Sequence, residues 1–242
     1  MSKSVADRSK KSKNYTLINP AIREILQTSD GSTTIHLPEW GESYHSRHGA
    51  IQEAKHVFIK NGLSLFSGKS IAIMEIGFGT GLNAFITFLE AERLNLIIDY
   101  EGVEAFPVDA KEVSLMNYVH ELQASQKESV FDKMHAEKWD EKFVLSDYFS
   151  LTKRKQFFDT IDDFEKFDLI YFDAFGYRVQ PELWSTATFL KMFKGLKLGG
   201  MLVTYAARGV VKRSMIEVGF TVEKLAGPPG KREMFRATKP SF

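Results

Sequence analysis

Short apolar runs alternate along most of the chain with longer segments in which apolar residues recur every three or four positions. The apolar runs lie at 70–77, 97–105, 142–149, 167–175 and 201–207, and the helical patterns lie at 82–95, 108–122 and 182–196. The first kind of run is typical of buried strands, and the second pattern is typical of helices with one apolar face. Their alternation predicts a parallel sheet joined by right-handed crossovers, with helices on both faces.

The C-terminal part has a different pattern. A short helix is predicted over "VKRSMIEVGF", and two further strands, "TVEKLAG" and "REMFRATK", are separated by "GPPGK". Because this loop is too short for a crossover helix, the two strands are predicted to pair in antiparallel fashion. The sequence thus predicts an α/β fold with a mostly parallel seven-stranded sheet and an antiparallel C-terminal hairpin. This is the Rossmann-like layout of class I S-adenosyl-L-methionine (SAM)-dependent methyltransferases.

The first part of the chain does not share this alternation. Residues 1–13, "MSKSVADRSKKSK", are polar and basic and predict a disordered tail. Residues 14–62 contain a hairpin signal, "TSDGSTTIHL", and a helical pattern, "GAIQEAKHVFIKNG". We expect 14–62 to be an extension that packs on the main domain, 63–242.

Composition narrows the possible chemistry. The chain has 242 residues and no cysteine, which excludes disulfides, thiolate metal sites and a cysteine nucleophile. The formal net charge is only +1, so a polyanionic partner has to be bound by a local basic patch. We found no signal peptide, no membrane-length apolar run and no metal-ligand spacing among the six histidines. We therefore expect a cytoplasmic protein without membrane or metal partners.

Three glycines, Gly77, Gly79 and Gly81, follow the first predicted strand of the main domain and precede a helix. A P-loop pattern does not fit this turn, and the dinucleotide pattern G-x-G-x-x-G has Leu82 in place of its last glycine. The pattern E-x-G-x-G-T-G, which begins at Glu75, is typical of SAM-binding proteins. A Cβ at the inward positions would hold the ligand away from the backbone, so we predict SAM as the cofactor. Two less favoured interpretations stay open, a nicotinamide dinucleotide site and a tight strand–helix turn without a ligand.

Two further acidic residues are candidates for the same cofactor. Glu104 ends the second predicted strand, where the ribose-binding acid of such folds is found, although a surface glutamate would look the same. Asp147 is predicted to end the strand "KFVLSDYF" and to accept a hydrogen bond from the adenine amino group.

Asp173 follows the strand "FDLIYF", next to several aromatic residues. A carboxylate at this strand end suits an amine acceptor, because it can accept an N–H bond and then the proton. Alternatively, Asp173 could cap the next helix. However, Pro181 marks the start of that helix several residues later, which favours the catalytic interpretation.

The motifs "EIGFGTGLN", "IYFDAF" with "QPELW", "GGMLVTYAARGVVKRSMIEVGF" and "GPPGKREMFRATK" together resemble the MnmC-type tRNA methyltransferases, from about Tyr44 to the C-terminus. This resemblance implies SAM-dependent methylation of the 5-aminomethyl group of the modified wobble uridine, with or without 2-thiolation. It places Glu75, Gly77, Gly79, Gly81 and Asn83 beside SAM, Glu104 at the ribose, Asp173 at the acceptor amine and Phe175 in the pocket wall.

The chain departs from this family in two ways. Gly176, Tyr177 and Arg178 stand where Ala-Pro is common after "DAF". The 242 residues contain no counterpart of the flavin oxidoreductase domain that some relatives carry, so we expect a separate flavin-dependent enzyme to supply the aminomethyl uridine.

Basic residues near the C-terminal part of the sheet fit a tRNA partner. Arg178, Arg208, Lys231 and Arg232 are predicted to meet phosphates of the anticodon stem-loop, together with Lys212, Arg213 and Arg236. A splayed base is predicted to stack on Tyr177 or Phe175. Pairing of each basic residue with a neighbouring acid is the alternative.

Three other functions stay open at this point. The acceptor could be a small-molecule amine or a different RNA, the chain could be a non-catalytic binding module, or it could be a nicotinamide oxidoreductase.

Overall fold

The computed structural model describes residues 22–241, and the predicted disordered tail, 1–13, lies outside this range. The strands are β1 Glu24–Gln27, β2 Thr33–Leu37, β3 Glu42–Ser43, β4 Ser70–Ile76, β5 Ile97–Glu104, β6 Lys142–Ser146, β7 Phe149–Lys155, β8 Phe167–Phe172, β9 Leu196–Thr204, β10 Thr221–Ala226 and β11 Glu233–Thr238. The α-helices are α1 Ala50–Ala54, α2 Leu82–Arg93, α3 Ala110–Val113, α4 Tyr118–Glu121, α5 Glu128–Ala136, α6 Thr186–Gly195 and α7 Gly209–Glu217. Short 3₁₀ turns include Phe158–Thr160 and Pro181–Trp184, and a π-helical segment, Lys55–Lys60, continues α1.

The large sheet has the strand order β10-β11-β9-β8-β4-β5-β7-β6. Strands β9, β8, β4, β5 and β7 are parallel, as the alternation predicts. The C-terminal hairpin β10–β11 is antiparallel and joins the sheet through β9, which confirms that prediction. The chain order reverses at β4, which lies between β5 and β8. Ligands of such sheets bind beyond the carboxyl ends of the strands at this reversal.

The sheet has eight strands where the sequence predicts seven. The apolar run 142–149 is not one strand, because it turns at Asp147 and forms the antiparallel pair β6–β7. In this turn the Tyr148 N–H donates to Ser146 Oγ at 3.2 Å. Strand β7 continues to Lys155 through polar residues that the apolar pattern does not reveal.

The predicted helix 108–122 is also divided. Asp109 and Glu112 form a capping box that starts α3, which ends at Val113. Asn117 then leaves the helical path: its Oδ1 accepts from the Thr33 N–H at 2.8 Å, and its Nδ2 donates to the Gly31 carbonyl at 2.9 Å. These bonds attach the β1–β2 hairpin to the main sheet unit. Helix α5 has no counterpart among the predicted helices.

Residues 22–62 form a small three-stranded antiparallel sheet, β1-β2-β3, followed by α1 and its π-helical continuation. Ile35 and Leu37 of β2 and Phe58 of the π-helical segment are buried in the same apolar cluster as Ile73 of β4. The segment thus shares its core with one face of the large sheet. Within 22–241, no helix combines the length and the apolar character needed to cross a membrane.

Candidate functional site

A cavity of about 710 Å³ lies beyond the carboxyl ends of β4, β5 and β8. The turn after β4, the end of β5 and the segment after β8 form its floor. Residues between Leu37 and Glu53 form the opposite wall, including Trp40, Tyr44, Arg47 and Glu53. This volume is within the range of sites that hold a small-molecule cofactor. The cavity therefore lies where the strand reversal predicts it, and the N-terminal segment closes it on one side.

The three glycines of the turn after β4 all have positive φ angles, of +92°, +51° and +74° for Gly77, Gly79 and Gly81. A Cβ on Gly77 would lie 2.7 Å from the Asp173 carbonyl oxygen. A Cβ on Gly79 would lie 3.1 Å from the Tyr44 ring, and one on Gly81 would lie 2.9 Å from His135 Nε2. Protein atoms thus account for the glycines, whereas the sequence argument invoked the ligand. Gly77 and Gly79 line the cavity; Gly81 is not among its lining residues.

Glu75 is the penultimate residue of β4 and is fully buried. Its Oε1 accepts from Asn83 Nδ2 at 2.9 Å, and its Oε2 accepts from the Tyr100 hydroxyl at 2.8 Å. Burial raises the pKa of the Glu75 carboxyl well above its usual value. Glu75 does not line the cavity, so the structure does not place it beside the cofactor as predicted. It positions Asn83 instead.

Asn83, in the first turn of α2, connects Glu75 to the cavity. Its Nδ2 donates to Glu75 Oε1 and also to Asp173 Oδ2, at 2.8 Å. Two carboxylate acceptors require the NH₂ group on this side, which fixes the amide orientation. Asn83 Oδ1 is then buried without a hydrogen-bond partner, and within residues 22–241 it is the one buried side-chain oxygen or nitrogen in this state. Because a buried polar atom without a partner is costly, Oδ1 indicates a donor on a bound ligand.

Asp173 follows β8 directly, and its N–H donates to the Ile76 carbonyl at 2.9 Å. It does not cap the following helix, because Ser185 caps α6. Burial raises the pKa of Asp173 to about 7; the charge of Glu53 acts in the same direction, while the Asn83 bond and Lys231 oppose it. Asp173 lines the cavity beside the glycine turn. A carboxyl group with this pKa can both accept and release a proton near neutral pH.

Glu104 ends β5 and lines the cavity on the other side of the glycine turn. Its Oε2 accepts from the Gly79 N–H at 3.1 Å, and its Oε1 accepts from the Phe106 N–H at 2.9 Å. Burial raises the pKa of Glu104, and these backbone bonds oppose that shift. The Ala105 N–H is a third backbone partner, and three such bonds leave at least one of the four carboxylate lone pairs free to accept from a ligand hydroxyl.

The prediction for Asp147 is wrong. Asp147 lies in the turn between β6 and β7, at the amino end of β7. Because β7 runs parallel to β5, this end lies at the sheet edge opposite the cavity. The residues that follow β7 at the correct edge are Phe157, Phe158 and Asp159, and they line the cavity. In the sequence, the acid that follows two aromatic residues in "QFFDT" could have indicated this part of the cavity. This indication requires that β7 is first recognised as a strand that ends just before it.

Phe175 forms part of the cavity wall, as predicted, and contacts two aromatic residues of the N-terminal segment. Its ring lies edge-on to Trp40 and to Tyr44, with centroid distances of 5.3 and 5.1 Å. These contacts join the segment after β8 to the opposite wall. Tyr44, Glu53 and Tyr205 also line the cavity, and sequence reasoning missed all three.

Five of the predicted tRNA-contacting residues converge on a second, shallow depression beside the cavity, whereas Lys212, Arg213 and Arg236 are not among its lining residues. Its lining includes Tyr177, Arg178, Arg208, Lys231 and Arg232. The two concavities share Glu42, Gly176, Tyr205 and Lys231. The depression thus opens directly onto the cavity.

The basic residues of this depression differ in their present contacts. The Arg208 guanidinium lies 5.5 Å from the centroid of the Tyr177 ring. Arg178 Nη2 donates to the Trp40 carbonyl at 2.7 Å and to Glu42 Oε1 at 3.1 Å, and Lys231 pairs with Glu53. Arg208 and Arg232 are exposed. The pairing expected as the alternative to RNA contact thus holds for Arg178 and Lys231.

Comparisons with known proteins agree with this geometry. A family model described as S-adenosyl-L-methionine-dependent methyltransferase matches residues 115–240. A protein of Nitrosospira multiformis is 27% identical over 219 residues, covering 83% of this chain and 34% of its own length. A protein of Burkholderia thailandensis is 30% identical over 226 residues, with 83% and 33% covered. Both are named tRNA 5-methylaminomethyl-2-thiouridine biosynthesis bifunctional protein MnmC. The chain spans about a third of the length of these relatives.

Solved structures show the same fold. MnmC2 from Aquifex aeolicus superposes with a TM-score of 0.73 at 22% identity, covering 91% of this chain and 71% of its own. Spermidine synthase from Thermotoga maritima superposes with a TM-score of 0.56 at 13% identity, with 90% and 68% covered. The Rossmann-like class I fold is thereby confirmed. Since the family model matches more than half of the chain, the protein belongs to the S-adenosyl-L-methionine-dependent methyltransferases.

Proposed function

We propose that this enzyme transfers a methyl group from SAM to the amine of 5-aminomethyluridine, with or without 2-thiolation, at the wobble position of tRNA. The observation that carries the proposal is Asp173, a cavity carboxyl group whose pKa burial raises to about 7, held by Asn83 beside the glycine turn. The identity of the acceptor amine is inferred from the names of the relatives. Both SAM and this amine have to lie at the same strand ends, and the cavity is wide enough for both.

The residues present fit SAM. Asn83 Oδ1 offers an acceptor to a ligand donor, and the backbone of Gly77 and Gly79 lines the cavity. Glu104 can accept from the ribose hydroxyls, and Phe157 to Asp159 extend the cavity in the direction where the adenine is expected. When bound, SAM supplies a sulfonium methyl group: the N–C bond forms as the S–C bond breaks, and its electron pair stays on sulfur.

The acceptor amine is mostly protonated at neutral pH and has to lose a proton before it can attack. Asp173 in its ionised form accepts that proton from the ammonium group, which frees the nitrogen lone pair. Asn83 holds Oδ2 of Asp173, so the carboxylate cannot rotate away from the amine. The proton then passes from Asp173 to solvent, which its pKa near 7 permits.

The depression beside the cavity suits the tRNA anticodon stem-loop. Arg208 and Arg232 can contact phosphates, while the wobble base enters past Tyr177 and Phe175. We infer that an oxidase activity of the kind implied by the name of the bifunctional relatives supplies the aminomethyl uridine. The cytoplasmic location expected from the sequence belongs to this proposal, because tRNA is modified there.

The test is methylation of tRNA from cells that cannot add this final methyl group. The protein is incubated with SAM and this tRNA, and the digested nucleosides are measured by mass spectrometry. We expect loss of the aminomethyl nucleoside and an equal gain of its methylated form. Asp173→Asn is the matched control, because it keeps the size of the side chain and removes the proton acceptor. SAM binding without conversion would refute the tRNA acceptor and leave a small-molecule amine or a different RNA to be tested.

A further inference from the structure

Glu53 is the one charged residue among the buried residues of α1, whose other buried members are Ala50, Ile51 and Ala54. Its side chain lines the cavity, on the wall opposite the glycine turn. The Ser46 N–H donates to its Oε2 at 3.0 Å, and Lys231 pairs with its Oε1. A buried carboxylate facing a ligand cavity needs an explanation, because desolvation of a charge is costly.

Glu53 and Asp173 influence the same part of the cavity from opposite walls. Burial raises the pKa of Asp173 and that of the Tyr205 hydroxyl, and the charge of Glu53 acts in the same direction on both. The Tyr205 hydroxyl donates to the Ala174 carbonyl at 2.8 Å, next to Asp173. Lys231 Nζ lies 3.8 Å from the centroid of the Tyr205 ring, between these groups. The two carboxylates, the tyrosine and the lysine therefore form one cluster.

The charges of this cluster do not balance. Glu53 and ionised Asp173 carry two negative charges, and Lys231 supplies one positive charge. Among these three side chains, ionised Asp173 therefore leaves one negative charge without a cationic partner, in a cavity that admits a ligand.

We propose that Glu53 binds the acceptor amine together with Asp173, so that the ammonium group completes the charge of the cluster before it loses its proton. This inference rests on the proposed function. Lys231 then acts as a competing cation, which neutralises Glu53 until the amine arrives. Glu53 and Lys231 thus determine the preference for an amine over a neutral group of the same size.

A purely structural ion pair is the alternative, since Glu53–Lys231 also connects α1 to the β10–β11 loop. The two interpretations predict opposite effects of removing Lys231 on the preference for the amine. If the pair is structural, loss of either partner weakens the same contact, and both variants change the preference for the amine in the same direction. If Glu53 binds the amine and Lys231 competes with it, the two variants have opposite effects.

The experiment measures binding of two synthetic anticodon stem-loops, with 5-aminomethyluridine or 5-hydroxymethyluridine at the wobble position, to the full chain saturated with S-adenosylhomocysteine. We expect the wild type to prefer the aminomethyl stem-loop by about tenfold. Glu53→Gln should reduce this preference to about twofold or less. Lys231→Met should increase it, and Glu53→Asp should retain part of it. Thermal unfolding and S-adenosylhomocysteine affinity are measured for each variant to exclude misfolding.

The pH dependence of methylation gives a second readout. Glu53→Gln should lower the apparent pKa of Asp173, and Lys231→Met should raise it. A preference that survives Glu53→Gln would overturn the role of Glu53 and leave the proposed function intact. Equal losses of the preference in Glu53→Gln and Lys231→Met would overturn the role of Glu53 and indicate a structural ion pair. A wild type without any preference for the amine would refute the proposed acceptor, and the inference with it.

Discussion

Replacement of Gly77 by alanine separates two reasons for a glycine in the turn after β4. Gly77 has a φ of +92°, and an added Cβ would lie 2.7 Å from the carbonyl oxygen of Asp173. Gly68 is the matched control: it has a φ of +63°, but no heavy atom lies within 4 Å of its added Cβ. Gly68→Ala therefore measures backbone strain alone, whereas Gly77→Ala adds an overlap with backbone that cannot swing away.

The expected magnitudes follow from these two contributions. An alanine in the left-handed backbone region lowers the free energy of unfolding by roughly 1–2 kcal/mol, so Gly68→Ala should lower the melting temperature by roughly 2–8 °C. The overlap at Gly77 adds roughly 1–3 kcal/mol, for a total decrease of roughly 4–20 °C. The overlap can be relieved by moving Asp173 away from the turn. Since a displacement of about 1 Å can cost about a hundredfold in rate, Gly77→Ala should lower kcat by roughly this factor.

Thermal unfolding and methylation at 25 °C measure the two effects independently. Gly68→Ala should retain wild-type kcat, because its loop lies before β4 and away from the cavity. If Gly77→Ala melts no lower than Gly68→Ala, the calculated overlap does not exist in solution. If it melts lower but methylates at the wild-type rate, Asp173 does not depend on this turn for its position.

Further predictions concern single residues of the site. Asp173→Asn should lower kcat by roughly 10²–10⁴-fold, with SAM affinity within about twofold of the wild type; an unchanged rate would exclude Asp173 as proton acceptor. In the wild type, kcat/KM should rise with pH through about 7, because Asp173 must be ionised, and a flat profile would contradict this. Glu104→Gln should weaken SAM binding without changing the affinity for tRNA, as calorimetry can show. Arg208→Ala and Arg232→Ala should each reduce the salt dependence of tRNA binding by about one unit of the log–log slope, and an unchanged slope would place the RNA elsewhere.

The raised pKa of Asp173 also predicts a stability effect. The folded state holds this proton up to about pH 7, whereas the unfolded state loses it near the ordinary value of 3.8. The folded state therefore binds more protons between these pH values, and its stability falls as pH rises through this window. Asp173→Asn should remove that part of the pH dependence and melt at a higher temperature than the wild type at pH 8. A lower melting temperature at pH 8 would show that the carboxylate stabilises the fold.

The part of the site built on β4 and its turn could be predicted from local sequence. An apolar strand, three glycines and an amphipathic helix occupy adjacent positions, and the family pattern places Asn83 in that helix. Local sequence also places Glu104 and Asp173 at the ends of apolar strands, where the structure has them. The positions of these residues can be predicted because they depend only on neighbouring residues in the sequence.

Strand β7 shows why other parts could not be predicted. Lys153 in this strand is almost fully buried, with its Nζ donating to the His135 carbonyl at 2.9 Å and lying 5.2 Å from the centroid of the Trp139 ring. A buried lysine looks like a solvent-exposed one in the sequence, so β7 was merged with β6 and Asp147 was assigned to the wrong edge. Tyr44 and Glu53 were missed for another reason: they reach the cavity from the N-terminal segment, and nothing local indicates that packing.

The N-terminal wall of the cavity has a consequence for protein engineering. A fragment that begins at residue 63, the boundary expected from the sequence, would lack Trp40, Tyr44 and Glu53 and would leave Phe175 without its two aromatic neighbours. It would also expose the apolar face of the large sheet that Ile35, Leu37 and Phe58 cover. Any transplant of this methyltransferase into a fusion protein or a chimera should therefore carry residues 22–62 together with the sheet.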